Sequence, residues 1–197
     1  MRLRRELQRQ ELICSSVATV ADFDMTRDHF ALFDFAPAFA LDAAALDQRY
    51  REVQARVHPD KHAHLPVAEQ RVAMQWATHA NEAYQTLKSP LKRAQYLLAL
   101  RGVDPQIERN TAMPMEFLVQ QLECREVVSE ARNEQDIDAL EDLQRDMRRE
   151  IKAEYEIVGR DLDADDNEAA AQTVRRLLFK QKLLQEIEDA IEAIETA

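Results

Sequence analysis

Two apolar stretches at helical spacing, joined by a short polar segment, restrict the fold of this chain more than any other feature. In the first, Leu46, Tyr50, Val53 and Val57 recur at intervals of three or four residues, which places them on one face of a helix. Asp42, just before this stretch, is a favourable N-cap. The pattern predicts an amphipathic helix over residues 42–57.

Proline residues mark the ends of this helix and of the next one. Pro59 disfavours helical geometry at His58 and has no amide hydrogen to donate, so the first helix ends there. Pro66 is a suitable first residue for a second helix, and Ser89-Pro90 marks its end. Its apolar residues recur at helical spacing: Val72, Ala73, Trp76, Ala80, Ala83, Tyr84 and Leu87. We therefore predict an antiparallel helical hairpin with a polar loop at its tip, where His58 and Asp60 face water or another protein.

The residues in and around this loop resemble a known module. His58-Pro59-Asp60-Lys61 between two amphipathic helices, followed by residues 81–90, resembles the J-domain of DnaJ-type co-chaperones, which switch on the ATPase of DnaK-type chaperones. Residues 29–33 and 93–102 narrow the resemblance to the HscB family, whose members serve iron-sulfur cluster assembly. The resemblance extends from about Met25 to the C-terminus.

The resemblance implies a chaperone-binding site on the hairpin. It is expected to present His58, Pro59, Asp60 and Lys61 to an ATP-bound HscA/DnaK-type chaperone. Nearby basic side chains provide a positive rim for an acidic chaperone surface: Arg49, Arg51 and Arg56. Asp47 and Glu52 stand where generic J-domains tend to be basic, which favours a dedicated chaperone partner over a promiscuous one.

The C-terminal half predicts three further helices. After the turn-like segment at residues 102–105, they run over about residues 114–132, 135–158 and 164–194, with Gly159 as a C-terminal cap of the second. Three long helices with short connections indicate an antiparallel three-helix bundle.

The first of these three helices carries two stripes of side chains. Phe117, Cys124, Val128 and Ala131 form the expected core face. The other side, here named the outer stripe, is part apolar and part acidic: Met115, Leu118, Val119, Leu122, Glu123, Glu126 and Glu130. Because one stripe suffices to pack a helix in a small bundle, the outer stripe is a candidate docking surface.

The third helix of the bundle has a similar anomaly. Val174, Leu177, Leu178 and Leu184 form one stripe, whereas Phe179 projects off it. Phe179 is therefore either an interface anchor or a core residue of a wide apolar face. The outer stripe is either a docking surface or a face that packs on the J-domain. The resemblance favours docking, since it implies that an IscU-type scaffold binds through these positions: Leu118, Val119, Leu122, Glu123, Glu126, Glu130 and Phe179.

Two groups of residues permit a metal or catalytic interpretation. His58, Asp60, His62 and His64 include common metal ligands, but alternate residues on one loop rarely converge without a distant further ligand. The glutamates of the outer stripe lack the Glu-x-x-His partner motif of di-iron bundles. We expect no catalytic residue, no metal site and no cofactor.

Composition limits the remaining function classes. Two glycines in 197 residues, with 46% hydrophobic residues, predict an almost entirely helical protein. Residues 102–197 carry twelve Lys and Arg against twenty-five Asp and Glu, a net charge of −13, while residues 25–101 carry ten against eight, a net charge of +2. The acidic half disfavours nucleic-acid binding and suits a basic or metal-handling protein partner.

The cysteines and the hydropathy pattern indicate the compartment. Cys14 and Cys124 form no local pair, which suits a reducing cytoplasm. No segment of the sequence predicts a membrane span.

These observations, together with the resemblance, predict an all-α, L-shaped protein with two domains. We expect an extension at residues 1–24 upstream of a start at Met25, a J-domain at residues 25–101, a linker at residues 102–112 and a scaffold-binding bundle at residues 113–197. The predicted function is a non-enzymatic co-chaperone, compatible with a monomer, that stimulates the chaperone ATPase and delivers the scaffold. Two alternatives remain open: a J-domain co-chaperone with a different client, and a metal-dependent enzyme that uses the histidine-rich loop.

Overall fold

The regular structure that the computed structural model describes is helical. It describes residues 27–57, 66–103 and 113–196. The chain divides into an N-terminal unit, Met1–Ser89, and a C-terminal unit, Pro90–Ala197. The described helices are α1 (His29–Leu32), α2 (Ala43–Val57), α3 (Val67–Lys88), α4 (Pro90–Leu100), α5 (Met115–Glu134), α6 (Ile137–Asp163) and α7 (Asn167–Glu195). The predicted all-α class is confirmed.

Helices α2 and α3 form the predicted antiparallel hairpin. The Asp42 carboxylate caps α2 by accepting hydrogen bonds from the amides of Ala44 (2.9 Å) and Ala45 (3.3 Å). The apolar faces of both helices meet in a core with α1, which packs on α3. The buried side chains are Phe30, Phe33, Leu46, Val53, Val57, Ala73, Trp76, Ala80, Ala83, Tyr84 and Leu87. Val72, which the spacing placed in this core, is 37% exposed, because it lies at the margin of the apolar face.

A polar and aromatic seam fixes the pairing of α2 with α3. The rings of Tyr50 and Tyr84 stack with centroids 4.0 Å apart. The Tyr84 hydroxyl donates to Asp47 (2.7 Å) and accepts from Lys88 Nζ (2.6 Å). These contacts join positions near the start of α2 to positions near the end of α3. The open ends of the two helices, at Val57 and Val67, therefore flank residues 58–65.

The division between the units falls after Ser89, whereas the predicted J-domain extends to residue 101. Helix α4 packs against α7 and belongs to the C-terminal unit. Its apolar face explains this placement, because Leu91, Ala94, Leu97 and Leu98 are all buried. Gly102 ends α4 with a φ of 74°, and the Val103 amide donates to the Leu98 carbonyl (3.0 Å).

Helix α7 is the central element of the C-terminal unit and packs against α4, α5 and α6. The stripe predicted for α7 is correct at Val174 and Leu177, but Leu178 and Leu184 are only partly buried. The core continues instead through Leu183 and Ile187, which are fully buried. A helix enclosed on three sides buries a wider arc than one stripe, so spacing alone could not select between neighbouring leucines.

Helix α6 does not end at Gly159, as the sequence had indicated, but continues to Asp163. Its buried stripe runs through Ile151 and Val158 to Leu162, which is 1% exposed. A glycine inside a helix costs about 1 kcal/mol relative to alanine. Burial of a leucine contributes more than this, about 1.5 to 3 kcal/mol. Burial of Leu162 therefore outweighs the cost of the glycine, and the helix continues beyond Gly159.

The two corners of the bundle are built alike. At each corner a residue with positive φ, Gln135 or Asp165 (both 56°), ends one helix. The aspartate that follows, Asp136 or Asp166, caps the next helix by accepting from an amide three residues on (3.0 Å and 3.1 Å). Each aspartate amide also donates to a carbonyl of the preceding helix, at Ala131 (2.8 Å) and Asp161 (2.9 Å) respectively.

A buried ionic cluster joins α6 to α7. Glu154 accepts from Arg176 Nη2 (3.0 Å) and from Lys180 Nζ (3.0 Å), and Lys180 also pairs with Glu150 (3.1 Å). Burial by itself raises the pKa of Glu154, but the hydrogen bonds from Arg176 and Lys180 outweigh it. The pKa of Glu154 therefore lies below its ordinary value.

No helix in the described ranges is both long enough and apolar enough to cross a membrane.

The helix caps at the corners generate a stability prediction. Asp136→Ala removes the acceptor for the Ala139 amide and is expected to lower the free energy of unfolding by about 1 kcal/mol. Asp136→Asn is the matched control, because asparagine caps nearly as well as aspartate. Chemical denaturation measures both variants. Equal losses in both would show that the cap contributes little and that charge carries the effect.

The ionic cluster generates a second prediction. Glu154→Gln leaves Lys180 and Arg176 without their buried carboxylate and is expected to cost about 3 kcal/mol of unfolding free energy. Glu150→Gln, which removes a carboxylate whose side chain is 56% exposed, is expected to cost less than about 1 kcal/mol. Since the folded-state pKa of Glu154 is depressed, its contribution is complete above about pH 4.5 and is lost as the pH falls through the lowered value. Chemical denaturation is therefore expected to show a lower free energy of unfolding for Glu154→Gln than for the wild type at pH 7, and a smaller difference at acid pH.

Candidate functional site

The two faces of α5 differ in burial, as predicted. Of the expected core face, Phe117, Val128 and Ala131 are buried and Cys124 is half-buried. Gln121 also lies in the core, which spacing of apolar residues could not indicate. Burial raises the pKa of the Cys124 thiol, so Cys124 is a packing residue with little thiolate character.

The outer stripe of α5 is open to solvent over most of its length. Leu122 is 60% exposed, Val119 is 44% exposed and Met115 is 74% exposed, while Leu118 is half-buried. The three glutamates of the stripe are exposed as well. Three exposed apolar side chains on one helical face, bordered by carboxylates, are typical of a surface that binds another protein.

Phe179 lies at the contact between α7 and α5. It is half-buried, and its ring meets the edge of the Phe117 ring with centroids 5.9 Å apart and an interplanar angle of 84°. Phe117 is 8% exposed and belongs to the core. Phe179 therefore links the core of the bundle to its surface, which combines the two interpretations left open by the sequence.

An ion pair that the sequence did not indicate also joins α5 to α7. Arg125 Nε donates to Glu186 Oε2 (2.8 Å), and Nη2 lies 3.4 Å from Glu186 Oε1. The two residues are sixty-one positions apart. No local spacing could have identified such a pair among the many charges of this half of the chain.

The basic residues predicted for the chaperone site lie on the outer surface of α2. Arg49, Arg51 and Arg56 are all exposed, and Arg49 pairs with Asp34 (3.1 Å). Lys88 Nζ donates a hydrogen bond to the Tyr84 hydroxyl and forms an ion pair with Asp47 (3.6 Å). The hydrogen bond from Tyr84 and the charge of Lys88 lower the pKa of Asp47 despite some desolvation. The motif residues His58, Pro59, Asp60 and Lys61 lie outside the described residues, as does the extension at residues 1–24.

The described residues bring together no set of three or more His, Cys, Asp or Glu side chains that could hold a metal ion. The glutamates of the outer stripe fall within this statement. Residues 58–65, which contain the histidine-rich loop, lie outside it. The exposed apolar and acidic side chains of the outer stripe are suited to non-covalent binding of a protein partner.

Comparison with known proteins relates this chain to one group of co-chaperones. Residues 113–188 match the family described as the HSCB C-terminal oligomerisation domain. The chain is 51% identical over 168 residues to the "Co-chaperone protein HscB homolog" of Cupriavidus taiwanensis, covering 85% of this chain and 96% of the relative. It is 52% identical over 168 residues to the protein of the same name from Ralstonia nicotianae, with the same coverage.

Solved structures give the same relationship. Chaperone HscB from Vibrio cholerae superposes with a TM-score of 0.77 at 31% identity, covering 85% of this chain and 99% of that one. Human co-chaperone protein HscB superposes with a TM-score of 0.79 at 29% identity, covering 84% and 83%.

The different burial of the two faces of α5 generates a third prediction. Leu122→Ala removes a side chain that is mostly solvated and is expected to change the free energy of unfolding by less than about 0.5 kcal/mol. Phe117→Ala, on the core face of the same helix, is expected to cost about 3 to 5 kcal/mol. Urea denaturation measures both. A large loss for Leu122→Ala would show that the outer stripe packs within the folded chain.

Proposed function

This chain belongs to the HscB family of co-chaperones, and we propose that it couples a chaperone to an iron-sulfur scaffold protein. In this proposal the N-terminal unit stimulates the ATPase of an HscA/DnaK-type chaperone. The C-terminal unit delivers an IscU-type scaffold to that chaperone during cluster assembly and transfer. The chain itself performs no covalent chemistry and works in the cytoplasm.

The observation that carries the scaffold half of this proposal is the exposed outer stripe of α5. Its side chains are accessible although the helix already buries a complete second face. Burying Leu118, Val119, Leu122 and Phe179 against a partner supplies roughly 1.5 to 3 kcal/mol per side chain before the cost of association. A reversible complex is compatible with such a sum, and the glutamates of the stripe select a partner with a basic surface.

The chaperone half of the proposal is supported by the hairpin and its charge. Helices α2 and α3 are held in antiparallel pairing by the Tyr50–Tyr84 stack and flank residues 58–65, which include His58, Pro59 and Asp60. The exposed basic residues of α2 give the same unit a surface for an acidic partner. We propose that the chaperone binds this loop together with Arg49, Arg51, Arg56 and Lys61.

Coupling of two binding events is the mechanism that follows. A scaffold bound to the C-terminal unit is tethered to a chaperone bound to the N-terminal unit, which raises the effective concentration of one partner at the other. ATP hydrolysis then traps the scaffold on the chaperone. The difference in net charge between the two halves favours separate partners, since a basic scaffold prefers the acidic half.

The ATPase rate of the cognate chaperone tests both halves. Asp60→Asn is expected to abolish the stimulation of this rate, because it alters the motif that faces the chaperone. The Leu122→Ala, Phe179→Ala double variant is expected to keep the stimulation by this chain alone and to lose the additional effect of the scaffold. Val127→Ala is the matched control, since Val127 is 45% exposed on the same helix but lies about 140° around the axis from Leu122.

Three outcomes would contradict parts of the proposal. Full stimulation by Asp60→Asn removes the chaperone half. A scaffold that adds nothing with the wild-type chain removes the iron-sulfur assignment and leaves a J-domain co-chaperone with a different client. A stoichiometric metal in the purified protein would favour the alternative of a metal-dependent enzyme.

A further inference from the structure

We propose that Arg125 and Glu186 are positioning residues that hold the outer stripe of α5 and Phe179 of α7 in one binding surface. The inference rests on the proposed binding of the scaffold and adds to it two residues outside the predicted binding set. Neither residue needs to contact the scaffold. Their role is to fix how α5 lies on α7.

The ion pair of Arg125 with Glu186, here named the clamp, joins α5 to α7 through two nitrogens of one guanidinium. The guanidinium of Arg125 faces the carboxylate of Glu186 with two nitrogens, at 2.8 Å and 3.4 Å. Its third nitrogen donates to the Gln121 carbonyl on its own helix (3.3 Å). Both side chains are about one-third exposed, at 33% and 35%, so the pair is partly shielded from water. A forked pair fixes orientation as well as distance.

The clamp and the aromatic contact lie on either side of the apolar part of the proposed binding surface. Phe117 meets Phe179 at one end, and Arg125 meets Glu186 at the other. These two contacts are eight residues apart on α5 and seven apart on α7, which is about two helical turns or roughly 10 to 12 Å along the helices. Leu118, Val119 and Leu122 lie between them on α5.

Beyond the clamp, the solvent-facing side of the contact between α5 and α7 is open, although Val128 and Ala131 of α5 remain buried in the core. A surface cavity of about 630 Å³ lies there, lined by Arg125 and Glu186 themselves and by Val128, Ser129, Arg132 and Asp189, among others. A cavity supplies no close contacts to hold two helices together. The ion pair at the edge of this cavity therefore adds a directed contact outside the core, where it can set the angle at which α5 lies on α7.

The clamp also affects the charge of the binding surface, and it keeps the Arg125 side chain from lying over that surface. Arg125 lies within a run of exposed glutamates, and Glu186 both neutralises its charge and draws it toward α7. Residues three apart on a helix are neighbours, so an Arg125 side chain released from Glu186 can lie over Leu122. Release would then place a positive charge and an alkyl stem on a surface that the proposal requires to be apolar and acidic.

The chain offers a closely matched control for this clamp. Glu188, two positions further along α7, pairs with Arg148 of α6 at 2.8 Å, the same distance as the Arg125–Glu186 pair. The side chains of Glu186 and Glu188 are equally exposed, at 35%. Glu186→Gln and Glu188→Gln thus each remove one carboxylate charge from an ion pair between helices, on different sides of α7. The Glu186 pair is forked, whereas Glu188 accepts from one nitrogen of Arg148 and from Gln144.

Binding of purified IscU-type scaffold, measured by calorimetry beside the unfolding free energy of each variant, tests the inference. Glu186→Gln is expected to raise the dissociation constant about threefold to thirtyfold. Glu188→Gln is expected to change it less than about twofold, although both variants lose similar stability. The charge-reversed double variant, Arg125→Glu with Glu186→Arg, is expected to recover most of the affinity, because it rebuilds the pair.

The outcomes separate this inference from the proposed function. If Leu122→Ala with Phe179→Ala abolishes binding while Glu186→Gln and Glu188→Gln bind alike, the clamp has no positioning role and the proposed function stands. A charge-reversed variant that binds no better than Glu186→Gln would equally overturn the inference. If the Leu122 and Phe179 substitutions leave binding unchanged, the proposed surface is wrong and the inference falls with it.

Discussion

The packing of α7 against three neighbouring helices is the constraint on which the C-terminal unit depends. Leu177, Leu183 and Ile187 of α7 are fully buried, and Lys180 between them is buried with its charge matched by Glu154. A buried charge of this type is tolerated only when its partner is present, so it favours one alignment of α6 and α7 over neighbouring ones. Helix α5 packs on this pair of helices.

This arrangement explains why α5 retains an exposed apolar stripe. The helix meets α6 and α7 with one face, and its buried residues are confined to that face. The opposite face has no further helix of the C-terminal unit to pack against in the described part of the chain. The free energy of folding is obtained from the core face, and the outer stripe remains available for a partner.

Charge distribution makes the two halves suited to different partners. The N-terminal half is nearly neutral and exposes arginines on α2, whereas the C-terminal half carries a large excess of carboxylates. Ionic contacts inside the C-terminal unit use some of these carboxylates for structure, as in the Glu154 cluster and the Glu186 clamp. The glutamates of the outer stripe remain exposed, which concentrates negative charge beside Leu122.

Much of the fold could be predicted from local signals. Asp42 and the apolar spacing of α2 predicted that helix closely, because a cap and an amphipathic period depend only on neighbouring residues. The errors arose where distant packing outweighed a local signal. Leu162 carries α6 past Gly159, and Leu183 replaces Leu184 in the core.

The helical class, the hairpin of α2 and α3 and the two stripes of α5 follow from helical period and residue type, which are local properties of the sequence. The partners of polar residues across helices depend instead on tertiary packing. Arg125 and Glu186 are sixty-one positions apart, and Glu154 and Lys180 are twenty-six apart. Charges at such separations have many candidate partners along the chain, and the packing of the helices selects among them.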